Sequence, residues 1–298
     1  KQRTVQIMTK LIKIISACAL AVASGVYFSS CGKDICHVLV TAKNEGVIYA
    51  GAMGDSKNGC AVGEDGRVRY TVDGGKTWNK GENRSSSLFS LSPIDEKICY
   101  ASGEDKSFVK TTDGGKTWNS LKNHPAKRAK GVTFKNEEIG CIWTTGNAYE
   151  YDGTSDDWHA IKNPKGCGLV ESVFSVEPGK AYLCGSNGMI YYTNDYGNNW
   201  EEREKVFDRK EDAVKPLIGQ WIKTSEFDFD GTALRFAYLA EKDYVYTLFI
   251  LKSVDRGRTF ALESETKLPN IAKAIAFNGK NGISVYNTDG SLDFYIMK

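Results

Sequence analysis

The residues able to do chemistry in this chain are scattered rather than grouped. The three histidines, His37, His124 and His159, have no Gly-x-Ser-x-Gly elbow or cysteine nucleophile to serve, and no glycine-rich phosphate loop occurs. Carboxylates are plentiful but fall mostly in turn-like segments, so no pair stands out as the acid and base of a hydrolase. Cys36, Cys60, Cys99, Cys141, Cys167 and Cys184 show no Cys-x-x-Cys spacing, and Cys36-His37 is the one Cys/His neighbourhood; no metal and no cofactor are expected. One basic cluster, Lys122 to Lys130 with His124, Lys127 and Arg128, reads as a solvated loop, with an anion or partner contact as its functional alternative.

The elements that must position such residues are written as a repeat. TVDGGKTW at 71–78 returns as TTDGGKTW at 111–118, TNDYGNNW at 193–200 and SVDRGRTF at 253–260, so a unit of about forty residues has been copied. Each copy follows an alternating run, as in Arg67 to Val72, and predicts strand, tight turn, strand. Asp73, Asp113, Asp195 and Asp255 can accept backbone N–H bonds inside the turn. Gly75, Gly115, Gly197 and Gly257 can take positive φ, and Trp78, Trp118, Trp200 and Phe260 can cover the hairpin. YDGTSDDW at 151–158 keeps Asp152, Gly153 and Trp158 with one residue inserted, and is read as a decayed fifth copy.

These residues resemble the Asp-box, or BNR, repeat (Ser/Thr-x-Asp-x-Gly-x-x-Trp/Phe) of sialidases, xyloglucan-type endoglucanases, sortilin-like receptors and photosystem II assembly-factor propellers. The resemblance implies an all-β fold, a single β-propeller of four-stranded antiparallel blades with the box on the turn between third and fourth strands, away from the functional face. It does not choose between enzyme and binder, because the same box serves both. A sialidase would need an arginine triad, a Tyr/Glu nucleophile pair and an Asp acid, and its family's Arg-Ile-Pro motif is absent; Arg67, Arg69, Arg256 and Arg258 lie in or beside box hairpins. The xyloglucan-type enzymes are built from two propellers, and this chain has length for one.

The spacing predicts six blades, with seven as the alternative if an insertion around 203–219 hides strands. The C-terminal runs AIAFN, GISVYN and LDFYIMK supply three strands, and Ile35–Val40 is expected to complete the last blade as its outer strand, removing two open edges. Cys60, Cys99, Cys141 and Cys184 fall on second strands of successive blades, where buried free thiols are at least as plausible as disulfides.

The N-terminus carries a separate signal. MTKLIK, the apolar IISACALAVASGVYF and then Ser29-Ser30-Cys31-Gly32 read as basic region, hydrophobic region and cleavage site, with residues 1–7 upstream of the true start. Cys31 resembles a bacterial lipobox cysteine, and the run is short against the roughly twenty residues a spanning helix needs. The expected organisation is a lipoprotein signal peptide over 1–30, a lipidated tether over 31–34 and a propeller over 35–298, anchored to a bacterial membrane, the outer one by expectation, and facing periplasm or surface. The whole chain carries +2, and removal of the four leader cations leaves about −2, which gives no nucleic-acid footprint.

Loops joining blades, and those between second and third strands, share the face opposite the boxes. Arg84, Glu104, Asp105, Arg128, Asn147, Asn187 and Asp243 are placed there, with Trp143 and Trp221 as aromatic candidates that are more often core. The preferred function is a non-catalytic, monomeric, lipid-anchored binding or assembly module for a glycan or an envelope protein; the alternative is a glycoside hydrolase of the sialidase-like superfamily.

Overall fold

Strand follows strand in a computed structural model, which describes residues 26–31, 35–40, 48–55, 57–74, 77–121, 124–206, 221–229, 232–242, 244–277, 282–287 and 292–297. Two strands, β1 (Val26–Cys31) and β2 (Ile35–Val40), precede the repeats. Blade 1 comprises β3 (Ile48–Met53), β4 (Gly59–Gly63), β5 (Val68–Thr71) and β6 (Asn79–Lys80), and blade 2 β7 (Leu88–Pro93), β8 (Cys99–Gly103), β9 (Phe108–Thr111) and β10 (Asn119–Ser120). Blade 3 comprises β11 (Gly131–Phe134), β12 (Ile139–Trp143), β13 (Ala148–Asp152) and β14 (Asp157–Ile161), and blade 4 β15 (Val170–Glu177), β16 (Lys180–Gly185), β17 (Met189–Thr193) and β18 (Glu201–Lys205). Blade 5 comprises β19 (Trp221–Phe229), β20 (Leu234–Lys242), β21 (Val245–Ser253) and β22 (Ala261–Lys267), before β23 (Ala272–Phe277), β24 (Gly282–Asn287) and β25 (Leu292–Met297).

The blade count expected from the sequence is corrected. Among the described residues there are five four-stranded blades, and the sheet joining the first and last described strands is five-stranded, in the order β1-β2-β25-β24-β23. Ile35–Val40 pairs with Leu292–Met297 but is not the outer strand, because β1 pairs along its other side. The residues read as the end of a leader thus have a partner in the sheet; Val26, Tyr27 and Phe28 suit a strand as well as the end of a hydrophobic region. Of the leader expected over 1–30, residues 1–25 lie outside the described residues, as do 32–34 of the tether expected over 31–34 and 207–219 of the insertion expected around 203–219.

Inner strands touch their neighbours in a circuit, β3 to β7, β7 to β11, β11 to β15, β15 to β19, β19 to β23 and β23 back to β3. Apolar clusters fill the gaps between successive sheets. Cys60, Val62 and Val68 of blade 1 meet Leu91, Val109 and Trp118 of blade 2, and Phe174, Tyr182 and Ile190 of blade 4 meet Phe227, Phe236 and Phe249 of blade 5. Cys60, Cys99, Cys141, Cys167 and Cys184 are buried free thiols, and burial pushes the thiols of Cys99, Cys141 and Cys184 well up.

The boxes form the turns between third and fourth strands, as their spacing predicts. Asp113 accepts from Thr117 N at 3.0 Å, from Thr117 Oγ1 at 2.7 Å and from Thr111 Oγ1 at 2.9 Å. The same pattern recurs at Asp73 with Thr77, at Asp195 with Asn199 and at Asp255 with Thr259. Gly115 has φ of 90°, and a Cβ on it would stand 2.5 Å from Cys60 Sγ, so the glycine serves both the turn and a close approach to the preceding blade. The turns at Asp73, Asp113 and Asp195, and the altered one at Asp152, are also tied to the turn between first and second strands of their own blade: Gly74 N to Lys57 O, Gly114 N to Lys97 O, Tyr196 N to Gly179 O and Gly153 N to Glu138 O. The box side of the ring is therefore consumed by structure.

Candidate ligand face

On the opposite side, each inner strand begins with an irregularity. The pairing skips Tyr49 between Ile48 and Ala50, Phe89 between Leu88 and Ser90, Glu171 between Val170 and Ser172, and positions 223 and 273 in the same place. In blade 3, Lys130 N and the ladder residue Gly131 both oppose Trp143, which gives the same two-against-one arrangement. A bulge leaves one residue out of the ladder, and in blades 1, 2 and 4 that residue is Tyr49, Phe89 or Glu171 at the loop end. The consequence is a set of neighbours around one mouth. The rings of Tyr49 and Phe89 stand 5.4 Å apart at 60°, and Lys130 Nζ donates to Glu171 Oε2 at 2.6 Å. Burial, then the carboxylates of Glu64, Glu104 and Asp65, raise the Tyr49 hydroxyl above the usual tyrosine value.

The basic segment between blades 2 and 3 packs over this mouth. It alternates: His124, Ala126 and Ala129 are buried while Pro125, Lys127, Arg128 and Lys130 are exposed. Backbone bonds pin it, from Lys106 N to Lys127 O at 2.8 Å, Ala129 N to Gly103 O at 3.0 Å and Lys130 N to Trp143 O at 2.7 Å. His124 Nε2 meets Lys106 O at 2.8 Å, and burial, reinforced by the Lys106 charge, lowers its pKa, so the ring is a neutral anchor. Beside the segment opens a depression of about 820 Å³, lined by Lys127, Arg128 and Lys130, by Phe89 and Tyr149, and by Thr144, Thr145 and Asn147. The Arg128 guanidinium lies 5.3 Å from the Phe89 ring centroid and 3.0 Å from Glu104 Oε1. Cations above aromatic and small apolar surface suit an extended chain that carries carboxylates and apolar side chains.

The structure gathers some of the sequence candidates and disperses others. Arg128 and Asn147 line the depression, and Glu104 reaches it through Arg128. Asp105 lies beside Glu104 on the β8–β9 turn and accepts from Ser86 Oγ at 3.1 Å. Arg84 is spent on the fold, donating to Trp118 O at 2.8 Å and Ser120 Oγ at 2.7 Å across two blades. Asn187 is likewise built into the β16–β17 turn through Gly166 O, the Tyr191 hydroxyl and Met189 N. Trp143 is 5% exposed and packs under Gly131, so it supports the face from below and offers no platform. Asp243 and Gly75, with the side chains of Trp221 and Cys31, lie outside the described residues. Sequence reasoning missed Lys127 and Lys130 as individual contributors, and it missed Phe89 and Tyr149. The signal for Phe89 was present: in Leu88-Phe89-Ser90-Leu91 an extra apolar residue interrupts the alternation.

No curated protein matches this chain in sequence. Its fold is similar to the solved structure described as YCF48 bound to D1 peptide, at 16% identity and a TM-score of 0.54, covering 90% of this chain and 99% of that one. It is similar to YCF48 from Cyanidioschyzon merolae at 17% identity and a TM-score of 0.54, covering 87% and 98%. The WD40 repeats of RRP9 match at 8% identity and a TM-score of 0.60, covering 92% and 100%, so at these identities the likeness is one of fold. In sequence, the family model described as Photosynthesis system II assembly factor YCF48 matches residues 38–166 and again 83–214, together more than half of the chain, and the chain belongs to that family.

Proposed function

We propose that this protein is a non-catalytic binding or assembly module of a bacterial cell envelope, held to the membrane by a lipid on Cys31, which takes an exposed segment of a client protein across the depression beside Lys127 and Arg128. The observation that carries the reading is the depression itself: three cations from one pinned segment line it together with Phe89 and Tyr149, Arg128 over the Phe89 ring, on the face opposite the boxes. Family membership supports a protein as the occupant, since a structurally similar propeller was solved with a peptide. The rigid ring favours binding because the protein side has little ordering entropy to lose. Lipidation rests on the leader pattern ending at Cys31. Processing there would remove five of the six β1 residues and leave β2 as the strand beyond β25.

Peptide display against the soluble chain tests the binding half. The expected result is enrichment of segments combining carboxylates with apolar residues, abolished by Lys127→Glu with Arg128→Glu. Enrichment that ignores these substitutions, or saturable binding to glycans instead, would overturn it. Metabolic labelling with a fatty-acid analogue tests the anchor: the wild type takes the label and Cys31→Ala does not.

A further inference from the structure

The two ion pairs bordering the depression differ in a way that bears on how it is filled. Lys130 and Glu171 lie 2.6 Å apart with side chains 35% and 16% exposed, and Lys130 Nζ also reaches Val170 O at 3.4 Å. That pair is a clasp between blades 3 and 4. Arg128 and Glu104 lie 3.0 Å apart with side chains 72% and 37% exposed, so water competes for both partners and the pair is weakly held. Glu104 comes from the β8–β9 turn, fixed by Glu104 N to Ser87 O at 3.0 Å and Ser107 N to Glu104 O at 2.7 Å, so its carboxylate is presented to Arg128 from anchored backbone. Lys127, on the same segment, has no ion-pair partner among the described residues.

We infer that Glu104 is an internal competitor for the ligand site: its carboxylate occupies the position on Arg128 that a partner's carboxylate takes on binding. The inference rests on the proposed acidic-peptide reading. A ligand bringing a single carboxylate trades one ion pair for another and gains little at Arg128. A segment bringing two, one for the vacant Lys127 and one to displace Glu104, gains at both, with its apolar residues on Phe89 and Tyr149. Glu104 thus sets a threshold that selects closely spaced carboxylates over isolated ones and sharpens specificity at some loss of affinity.

The probe is a fluorescent pentapeptide, Glu-Phe-Glu-Gly-Glu with a free C-terminus, titrated by anisotropy against the whole chain and its variants, each first checked by thermal melting. Glu104→Gln should bind about two- to fivefold more tightly than wild type, the range set by the strength of exposed ion pairs. Glu137→Gln removes one negative charge from the opposite face, where Glu137 pairs with Lys110, and should give at most a small fraction of that gain. In an Arg128→Gln background the gain from Glu104→Gln should vanish, which separates competition at Arg128 from a general change of charge. Wild-type binding with Glu104→Gln unchanged or weaker would overturn the competitor and leave the peptide reading standing. Absence of binding in both wild type and Glu104→Gln would overturn both. A wild type that fails to bind beside a Glu104→Gln that does would support the competitor in its strongest form.

Discussion

The intact boxes and the altered turn at Asp152 hold the same place in successive blades but fill the position two before the aspartate differently. In the intact boxes the residue two before the aspartate is Thr71, Thr111, Thr193 or Ser253, buried, its hydroxyl donating to the aspartate two residues on. The box glycine then presses on the preceding blade: Gly115 on Cys60, Gly197 on Lys162 O, Gly257 on the Tyr182 ring. At the altered turn the position two before the aspartate is Glu150, 1% exposed, and the place of the box glycine, two after the aspartate, is taken by Thr154. Glu150 reaches forward instead, accepting from Ser175 Oγ and, at 2.7 Å, from Gly179 N in blade 4. At this turn a buried carboxylate reaches forward to blade 4 while Trp158 still meets the Phe108 ring of blade 2 at 5.6 Å, so the turn is satisfied by a different latch that also touches a neighbouring blade.

The largest effect should come from cutting the forward latch. Glu150→Ala strands the buried Gly179 N–H, while the Ser175 hydroxyl falls back on Glu177 O at 3.2 Å and Lys180 O at 3.3 Å, so urea denaturation should show a loss of about 2–3 kcal/mol, the upper part of the cost of one stranded buried donor. Glu150→Thr restores the residue type of an intact box but cannot reach blade 4, and should lose most of the same stability. A Glu150→Thr protein as stable as wild type would show that the forward contact is dispensable.

Cutting an intact box should cost less. Asp113→Ala removes the acceptor for Thr117 N, Thr117 Oγ1, Thr111 Oγ1 and Lys116 N, but several of these donors lie near solvent and can rehydrate, so about 1–2 kcal/mol is expected. The two latches also respond to pH with opposite sign. Burial raises Asp113, but the bonds from Thr117, Thr111 and Lys116 outweigh it and hold the carboxyl low. Bonds from Asn199 N and side chain hold Asp195 low, and bonds from the Thr259 side chain and backbone hold Asp255 low. Their contribution is present above the unfolded aspartate value of about 3.9 and is lost as pH falls through the depressed values. For Glu150, burial dominates over the bonds from Ser175 and Gly179, and the carboxyl is raised. Folded Glu150 then holds its proton where the unfolded chain has released it, so stability falls as pH rises from about 4.3 into the raised range. Measured by denaturation across that window, the stability difference between wild type and Glu150→Gln should shrink as pH rises; a difference independent of pH would mean that Glu150 is not shifted.

Much of this was legible in the sequence because a box is a local object. Its aspartate, glycine and aromatic act within eight residues, and copies about forty apart place every third and fourth strand, with the second-strand cysteines following. The closing sheet was not, since Val26–Cys31 has the composition of a leader's end and of a strand alike. Glu150 was visible as a departure from Ser/Thr, but its partners lie 25 and 29 residues away and no spacing names them. On the ligand face the basic segment was visible and its packing was not: a loop rich in lysine looks solvated unless Ala126 and Ala129 are known to point inward. Arg84 and Asn187 were polar and well placed, yet fold-internal carbonyls claimed them before any ligand could.

The smallest effect sharpens the comparison most. Asp152 stands where an intact box keeps its organising aspartate, and its carboxylate serves the next residues of its own turn, accepting from Thr154 N at 2.9 Å and Thr154 Oγ1 at 2.6 Å with Ser155 beside it, and with His159 Nε2 4.0 Å away. The bond joining this turn to its own blade runs from Gly153 N to Glu138 O and involves no side chain, so it survives truncation. Asp152→Ala should therefore leave the melting temperature unchanged within error, while Asp113→Ala lowers it measurably at the same place in the neighbouring blade. Equal losses from the two substitutions would mean that the Asp152 turn still works as a box and that Glu150 was added to it rather than substituted for it.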